Sequence, residues 1–225
     1  MRWGVLQFPG SCDERDALRA CTLSGDKVRL VWHEERDLDG IDAVVIPGGF
    51  SYGDYLRAGA IARFSPAMEA VGEFAAAGGP VLGICNGFQV LCEAGLLPGA
   101  LLLNEDLRFH CRQLDLIEES TTTVHLSTPE SAQVDSRTLS IPAKHGEGRY
   151  YAPDEMLDGL EANGQVAYRY APGQNPNGSA RDIAGVRNAA GNVLGLMPHP
   201  EHAVDPLTGS TDGLRVFQAV AGNPA

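Results

Sequence analysis

The sequence has few cysteines and no cysteine pattern that would indicate a disulfide framework or a zinc site. The five cysteines are an odd number, and no Cys-x-x-Cys pair occurs among them. Disulfide-stabilised secreted domains and cysteine-rich zinc domains both carry regular cysteine patterns. The sequence therefore predicts that its cysteines are reduced thiols.

Long hydrophobic runs and an excess of positive charge are also missing. No apolar run approaches the roughly 20 residues that a membrane-spanning helix needs, and residues 1–6 lack the features of a secretory signal. The formal net charge is −12, whereas nucleic acids and anionic membranes select for basic patches. We therefore predict a cytoplasmic protein that binds neither nucleic acid nor membrane.

The hydrophobic content is sufficient for one large core. The chain has 225 residues, of which 44% are hydrophobic and 20% are charged, as is usual for a soluble globular domain. Residues 172–179 are rich in proline, glycine and asparagine, and they predict a surface loop too short to be a domain linker. We interpret residues 1–225 as a single domain.

Apolar runs alternate with helical patterns along most of the chain. The predicted strands are residues 3–8, 27–32, 42–46, 80–84 and 193–197, and the predicted helices are residues 13–23, 66–77, 88–94 and 212–220. Asp13 is the expected N-cap of the first helix. This order is typical of an α/β fold with a doubly wound, mostly parallel sheet flanked by helices. Residues 107–139 predict a small antiparallel β addition.

Residues 83–89, Gly-Ile-Cys-Asn-Gly-Phe-Gln, connect a predicted strand to a predicted helix through a sharp turn with Cys85 at its apex. This arrangement is the thiol version of a nucleophile elbow. The free N–H groups and partial positive charge at the start of the helix favour a thiolate. We therefore predict that Cys85 is a nucleophile, whereas Cys12, Cys21 and Cys92 are interpreted as core residues.

A cysteine nucleophile requires a base, and the base requires an orienting group. His199 lies between Pro198 and Pro200 at the end of a buried strand, where open α/β sheets place their active sites. Proline favours an extended chain, in which residues two apart point to the same side. We predict that His199 is the base and Glu201 its orienting carboxylate. Of the other five histidines, we interpret His33, His125 and His202 as structural.

An oxyanion hole would complete this site. One donor is expected to be the N–H of Asn86, directly after the nucleophile, and the other the N–H of Gly49 in the loop that ends the third strand. The alternative interpretation of that loop is a phosphate-binding turn. Neither a Lys-Ser/Thr pair nor a Gly-x-Gly-x-x-Gly pattern follows it.

Three motifs in this order resemble the class I, or triad-type, glutamine amidotransferases: Pro47-Gly48-Gly49, Gly83-x-Cys85-x-Gly87-x-Gln89 and His199-Pro200-Glu201. Longer stretches resemble the glutaminase-subunit family of phosphoribosylformylglycinamidine synthases, which act in purine biosynthesis. These stretches are residues 47–62, 85–89, 96–100, 145–149 and 198–201, and the resemblance extends from residue 5 to about residue 217. Lys144 stands where we expect alanine in this family.

The resemblance implies a flavodoxin-like fold and a Cys-His-Glu triad that hydrolyses L-glutamine to glutamate and ammonia. It implies no cofactor in this chain. A separate synthetase subunit (subunit II) would bind ATP and Mg and use the ammonia to convert formylglycinamide ribonucleotide, and a small third subunit is also expected. Phe50, Gln89 and His145 are expected to lie near the substrate, and Arg112 is a candidate partner for the glutamine α-carboxylate.

Two other functions are compatible with parts of the sequence. A stand-alone hydrolase, such as a peptidase or a γ-glutamyl hydrolase, can use the same triad, although it would have no need of residues 50–62 as a docking surface. An assembly module without activity would not need an intact triad. Selective modification of Cys85 by an electrophilic glutamine analogue would distinguish an active site from a vestigial one.

Overall fold

The computed structural model describes residues 1–119 and 138–222, so the predicted structural residue His125 lies outside the described part of the chain. Eleven strands are found in this part: β1 Arg2–Gln7, β2 Lys27–Trp32, β3 Ala43–Ile46, β4 Val81–Ile84, β5 Ala100–Leu102, β6 His110–Glu118, β7 Thr138–His145, β8 Arg149–Tyr151, β9 Val166–Tyr170, β10 Ile183–Arg187 and β11 Val193–Leu196. Its five α-helices are α1 Glu14–Leu23, α2 Pro66–Ala76, α3 Asn86–Glu93, α4 Asp154–Ala162 and α5 Gly213–Ala221.

Nine of these strands form one sheet in the order β2-β1-β3-β4-β11-β10-β9-β6-β7. The first five run parallel, and the remaining four continue the sheet with antiparallel pairing. Strands β5 and β8 form a separate antiparallel pair. The predicted doubly wound sheet with an antiparallel addition is therefore confirmed.

The direction of the strand connections decides where the helices lie. The chain passes from β1 to β2 towards one edge of the sheet, and from β3 to β4 towards the other. Because such crossovers are right-handed, α1 and α2 lie on opposite faces. Helix α5 packs on the α1 face, where Phe217 contacts Trp3 edge to face. The parallel strands are covered on both sides, and every residue of β3, β4 and β11 is buried.

Several sequence predictions agree closely with the structure. Strand β2 has the predicted bounds, and α1, α2, β4 and α5 begin or end within one residue of prediction. The predicted antiparallel region contains β6 and the start of β7, while residues 120–137 lie outside the described part. Helix α4 and strands β9 and β10 were not predicted. No helix within residues 1–119 and 138–222 is long and apolar enough to cross a membrane.

Two local predictions were correct in position but missed the contacts that the residues make. Asp13 stands at the N-cap of α1, but its side chain makes no capping hydrogen bond, because the carboxylate binds Lys144 and His202 instead. The predicted surface loop at residues 172–179 buries Asn177 and Ser179, because both side chains bond groups of the β7–β8 connection or of each other.

Candidate active site

Four parallel strands end at the same edge of the sheet and bring the predicted site residues together. The segments after β1, β3, β4 and β11 contain Asp13, Gly49, Cys85 and His199, respectively. This edge includes the point between β1 and β3 where the strand order reverses, the usual position of a site in an open α/β sheet.

Cys85 occupies a strained turn between β4 and α3. Its backbone lies at φ 51° and ψ −104°, which is a costly conformation for a residue with a side chain and is typical of functional sites. Glycine is required at position 87, because a Cβ there would lie 1.9 Å from the carbonyl oxygen of Ile46. The turn therefore has the geometry of a nucleophile elbow, and the Cys85 side chain is 8% exposed.

His199 and Glu201 form a buried hydrogen-bonded pair beside this turn. The Nδ1 atom of His199 lies 2.6 Å from Oε1 of Glu201, and both residues are almost fully buried. The backbone N–H of His199 donates to the carbonyl oxygen of Pro142 at 2.8 Å, which fixes the segment to β7. The bond to Glu201 leaves Nε2 of the imidazole, which has no hydrogen-bond partner among the described residues, available to Cys85.

Opposing effects determine the pKa of His199. Burial lowers this pKa, but the negative charges of Glu201 and of a Cys85 thiolate raise it by more than burial lowers it, so the net direction is upward. The imidazole is therefore stabilised as imidazolium when the thiol has lost its proton. This thiolate–imidazolium pair is the state in which a cysteine attacks a carbonyl carbon.

The two predicted oxyanion donors lie in suitable local structure. Asn86 is the first residue of α3, so its N–H has no acceptor within the helix. In the described part of the chain no acceptor contacts the N–H of Gly49, whereas the N–H of Phe50 is bonded to the carbonyl oxygen of Gly10 at 2.8 Å. The N–H groups of Gly49 and Asn86 are thus free to bind a developing oxyanion.

A network of side-chain amides holds the start of α3 against the loop after β3. Asn86 Oδ1 accepts hydrogen bonds from the N–H and the hydroxyl of Ser51, and Asn86 Nδ2 donates to Asp54 Oδ1 at 3.1 Å and to Gln89 Oε1 at 2.9 Å. Gln89 Nε2 in turn donates to the carbonyl oxygen of Glu147 at 2.6 Å. The predicted substrate residue Gln89 therefore connects the elbow to residues 145–149.

Phe50 is 56% exposed and starts a loop with unusual backbone geometry. Tyr52, Asp54 and Leu56 all have positive φ angles without being glycine. Burial raises the pKa of Asp54 to about 6, despite its hydrogen bond from Asn86. This loop directly follows Gly49, the predicted oxyanion donor.

His145 is buried at the end of β7, where its hydrogen-bond partners are side-chain amides. Asn177 Nδ2 lies 2.9 Å from its Nε2 atom, and Asn104 Nδ2 donates to its carbonyl oxygen at 2.9 Å. Burial lowers the pKa of His145 to about 3. The imidazole nitrogen Nε2 is thus engaged within the protein, and the structure places His145 in a buried amide network.

Arg112 is not brought to the triad. It is exposed on β6 opposite Ala143, whereas the neighbouring pair, Cys111 and Lys144, points to the other face of the sheet. The side chain of Lys144 extends on that second face to Asp13, beside His199. The arginine and the triad are therefore on different sides of the strand.

The other sulfur and imidazole predictions gave mixed results. Cys21 is buried and Cys92 partly buried, but Cys12 is exposed, because it lies in the turn after β1 rather than on the core side of a helix. The ring nitrogen Nδ1 of His33 lies 2.6 Å from the hydroxyl oxygen of Tyr52. His202, predicted as structural, lies in the site, with its Nε2 atom 3.3 Å from Asp13 Oδ1.

Asp13, His199, Glu201 and His202 each offer an atom that could bind a metal ion, and these atoms lie within 4.8 Å of one another. The ammonium group of Lys144, however, lies 2.5 Å from Asp13, where a bound cation would lie. We therefore interpret the cluster as a hydrogen-bonded group of side chains around the His199 imidazole.

Asp13 is a member of the site that was not predicted from the sequence. It was interpreted as a helix cap because it precedes a helical pattern. Its position at the carboxyl end of β1 was the signal available in the sequence, since the other site residues also follow parallel strands.

Comparison with known proteins indicates the family of the whole chain. The family model of the CobB/CobQ-like glutamine amidotransferase domain matches residues 1–215. The chain is 56% identical over 218 residues to phosphoribosylformylglycinamidine synthase subunit PurQ of Synechococcus elongatus, covering 96% of each chain. It is 58% identical over 220 residues to the same subunit of Nocardia farcinica, covering 97% of this chain and 96% of that one.

The solved structure of PurLQS from Thermotoga maritima contains a chain of the same fold. The TM-score is 0.84 and the identity 41%, and the alignment covers 98% of this chain and 97% of that one. On the family match and these identities over nearly the full length, the chain belongs to the CobB/CobQ-like glutamine amidotransferase family, and it is similar throughout to PurQ subunits of phosphoribosylformylglycinamidine synthase.

Proposed function

We propose that this chain is the glutaminase subunit of a phosphoribosylformylglycinamidine synthase in purine biosynthesis. The single observation that carries this proposal is the alignment of Cys85 in a strained elbow with the buried His199–Glu201 pair. The similarity to PurQ subunits supplies the reaction in which the released ammonia is used.

The proposed mechanism starts from the Cys85 thiolate, whose proton resides on His199. The thiolate attacks the δ-carbonyl carbon of glutamine, and the N–H groups of Gly49 and Asn86 bind the oxyanion. His199 then donates its proton to the departing nitrogen, so that ammonia leaves and a γ-glutamyl thioester remains. His199 next takes a proton from water, which attacks the thioester and releases glutamate and the thiolate. Glu201 orients the imidazole throughout.

The substrate contacts are proposed from position. Gln89 lies one helical turn from Cys85, and Phe50 flanks the oxyanion donor Gly49. His145 supports residues 145–149 through its bond with Asn177. The amide network around Asn86 would fix the distance between the elbow and these residues.

Partner subunits are proposed from the similarity and from the exposed loop beside the site. The similar Thermotoga maritima chain belongs to a structure of PurLQS, and a synthetase subunit that binds ATP and Mg, with a small third subunit, would complete this enzyme. Tyr55, Leu56 and Phe64 are 75%, 90% and 69% exposed, and such apolar surface is suited to a protein interface. The cytoplasmic location stays a prediction.

Glutamate release from glutamine tests the proposal most directly. The chain is assayed alone, then with formylglycinamide ribonucleotide synthetase subunits, their nucleotides and Mg. Strong stimulation by the partners is expected. High activity of the chain by itself, without stimulation by the partners, would instead indicate a stand-alone hydrolase. No activity in either mixture would refute the assignment of the triad or the choice of partner.

The variant Cys85→Ala separates the two half-reactions. It is expected to abolish synthesis with glutamine but to retain synthesis with added ammonia, because the ammonia-using site would lie on another subunit. The matched control is Cys21→Ala, which changes a buried thiol on α1. Loss of ammonia-dependent synthesis in Cys85→Ala would contradict the division into two sites.

A further inference from the structure

A second carboxylate lies against the catalytic imidazole. Asp13 Oδ2 is 3.6 Å from Nδ1 of His199, on the same nitrogen that Glu201 contacts, and the Asp13 side chain is 5% exposed. Glycine at position 48 permits this approach, because a Cβ there would lie 2.4 Å from Asp13 Oδ2 and 2.7 Å from His199 Cε1.

The charge of Asp13 is balanced by Lys144. The Nζ atom of Lys144 lies 2.5 Å from Asp13 Oδ1, and the carbonyl oxygen of Lys144 lies 3.9 Å from Sγ of Cys85. Lys144 is one of only two lysines in the chain, the other being Lys27. One positive charge is thus bonded to the second carboxylate, on a residue whose backbone carbonyl contacts the Cys85 sulfur.

We propose that Asp13 and Lys144 form a positioning pair that sets the pH range in which the Cys85–His199 pair is active. Asp13 helps hold the imidazole, and Lys144 cancels the charge that would otherwise keep His199 protonated. The inference rests on the proposed glutaminase function for its kinetic test only.

The charged and titratable groups that face His199 within the described residues all enter this balance. Glu201 and His202 lie on its own segment, Asp13 precedes α1, Cys85 lies at the elbow, and Lys144 and His145 lie on β7. The charges of Glu201 and Cys85 act on Lys144 as well as on His199, and with Asp13 they raise the lysine pKa against the effect of burial. Lys144 therefore stays charged throughout the range in which a thiol and an imidazole titrate.

Opposite shifts in the pH profile are the expected signature. Lys144→Met removes a positive charge that favours the thiolate over the thiol and disfavours the imidazolium, so both limbs of the kcat/KM profile move to higher pH, by about one unit. Removing the negative charge in Asp13→Asn moves the alkaline limb to lower pH. The double variant keeps the pair neutral, and its profile is expected to return towards that of the unaltered chain.

The control variants separate charge from structure. Lys144→Arg keeps the charge and should retain the profile, and Lys27→Met makes the same charge change on the exposed strand β2 and should not move it. A purely structural role would lower activity by the same factor at every pH. Any of three results would overturn the proposal. These are a uniform loss of activity at every pH, shifts in the same direction for Lys144→Met and Asp13→Asn, and a double variant that keeps the full shift.

Alkylation of Cys85 by iodoacetamide gives the same readout without glutamine or partner subunits. Its rate is followed from pH 5 to 10 on the full chain by mass spectrometry of the Cys85 peptide. The midpoint of the alkylation curve should rise by about one pH unit in Lys144→Met and stay unchanged in Lys27→Met. If glutamate release fails but this shift appears, the positioning pair is supported and the proposed function is not. If the midpoint does not shift in Lys144→Met, the proposed positioning pair is wrong.

Discussion

His199 and His145 are two histidines of nearly equal burial, 1% and 3% exposed, in opposite electrostatic surroundings. Burial lowers the pKa of both. The charges of Glu201 and of a Cys85 thiolate together more than reverse that effect at His199. At His145 the hydrogen-bond partner is the uncharged amide of Asn177, and burial, with the charges of His199 and His110, lowers the pKa to about 3. The neighbouring charge, rather than burial, therefore decides which imidazole can hold a proton for catalysis.

Replacing each imidazole in turn gives the largest contrast. His199→Gln should lower kcat for glutamine hydrolysis about a thousandfold, because the proton for the leaving ammonia is lost. His145→Gln should lower kcat less than about tenfold, since His145 contacts Asn177 rather than the thiol. Both are measured as glutamate release with the partner subunits present. Equal losses would show that the two histidines do not differ in role.

Removing the carboxylate that contacts His199 should make the pKa of this imidazole more like that of His145. Glu201→Gln should lower kcat about a hundredfold and lower the pKa of His199, so that the alkaline limb of the pH profile moves to lower pH. The measurement is kcat/KM between pH 5 and 10. Glu69→Gln, which changes an exposed carboxylate on α2, is the control, and an unmoved alkaline limb in Glu201→Gln would contradict this account.

The two histidines should also give protein stability opposite dependences on pH. Around His145 the folded state binds the proton more weakly than the unfolded state, so stability falls as the pH drops from 6.5 through about 3. Around His199 the folded state binds the proton more tightly. Stability is therefore fully present below pH 6.5 and is lost as the pH rises above it.

Urea unfolding at a series of pH values measures these slopes. His145→Gln should flatten the acid side, where one such group contributes up to about 1.4 kcal/mol per pH unit, and His199→Gln should flatten the alkaline side. Each variant is the control for the other. Flattening on the same side in both would refute the assignment.

The smallest expected effect concerns Asp54. This half-buried carboxylate has the amide of Asn86 as its partner, whereas Asp13 has the ammonium group of Lys144. Its pKa is raised from 3.8 to about 6, so its ionisation costs stability as the pH rises through this window. Asp54→Asn should raise the Tm by about 2 °C at pH 7. The difference should vanish below pH 3.8, and a difference that persists there would have another cause.

The local part of the site could be predicted from the sequence. Cys85, Asn86, His199 and Glu201 each lie in a short motif that fixes its own geometry, such as the two prolines around His199. Strands were predicted where an apolar run was bounded by glycine or proline, as in β3. Helix α4 carries no such apolar run in its sequence and was missed.

The long-range part could not be predicted. Asp13 and Lys144 are 131 positions apart, and only the folded sheet brings the end of β7 to the start of α1. The same contact explains why Asp13 does not cap its helix. Asn177 lies in a segment whose composition is typical of a surface loop, and its burial depends on partners on the β7–β8 connection.

The charge state of the two histidines is the most direct test of the account. Nitrogen-15 NMR of the imidazole rings, assigned with His199→Gln and His145→Gln, reports the protonation of each ring nitrogen at pH 7.5. We predict an imidazolium at His199 and a neutral ring at His145. A neutral ring at both positions, or an imidazolium at His145, would contradict the claim that Glu201 and Asn177 set the two histidines apart.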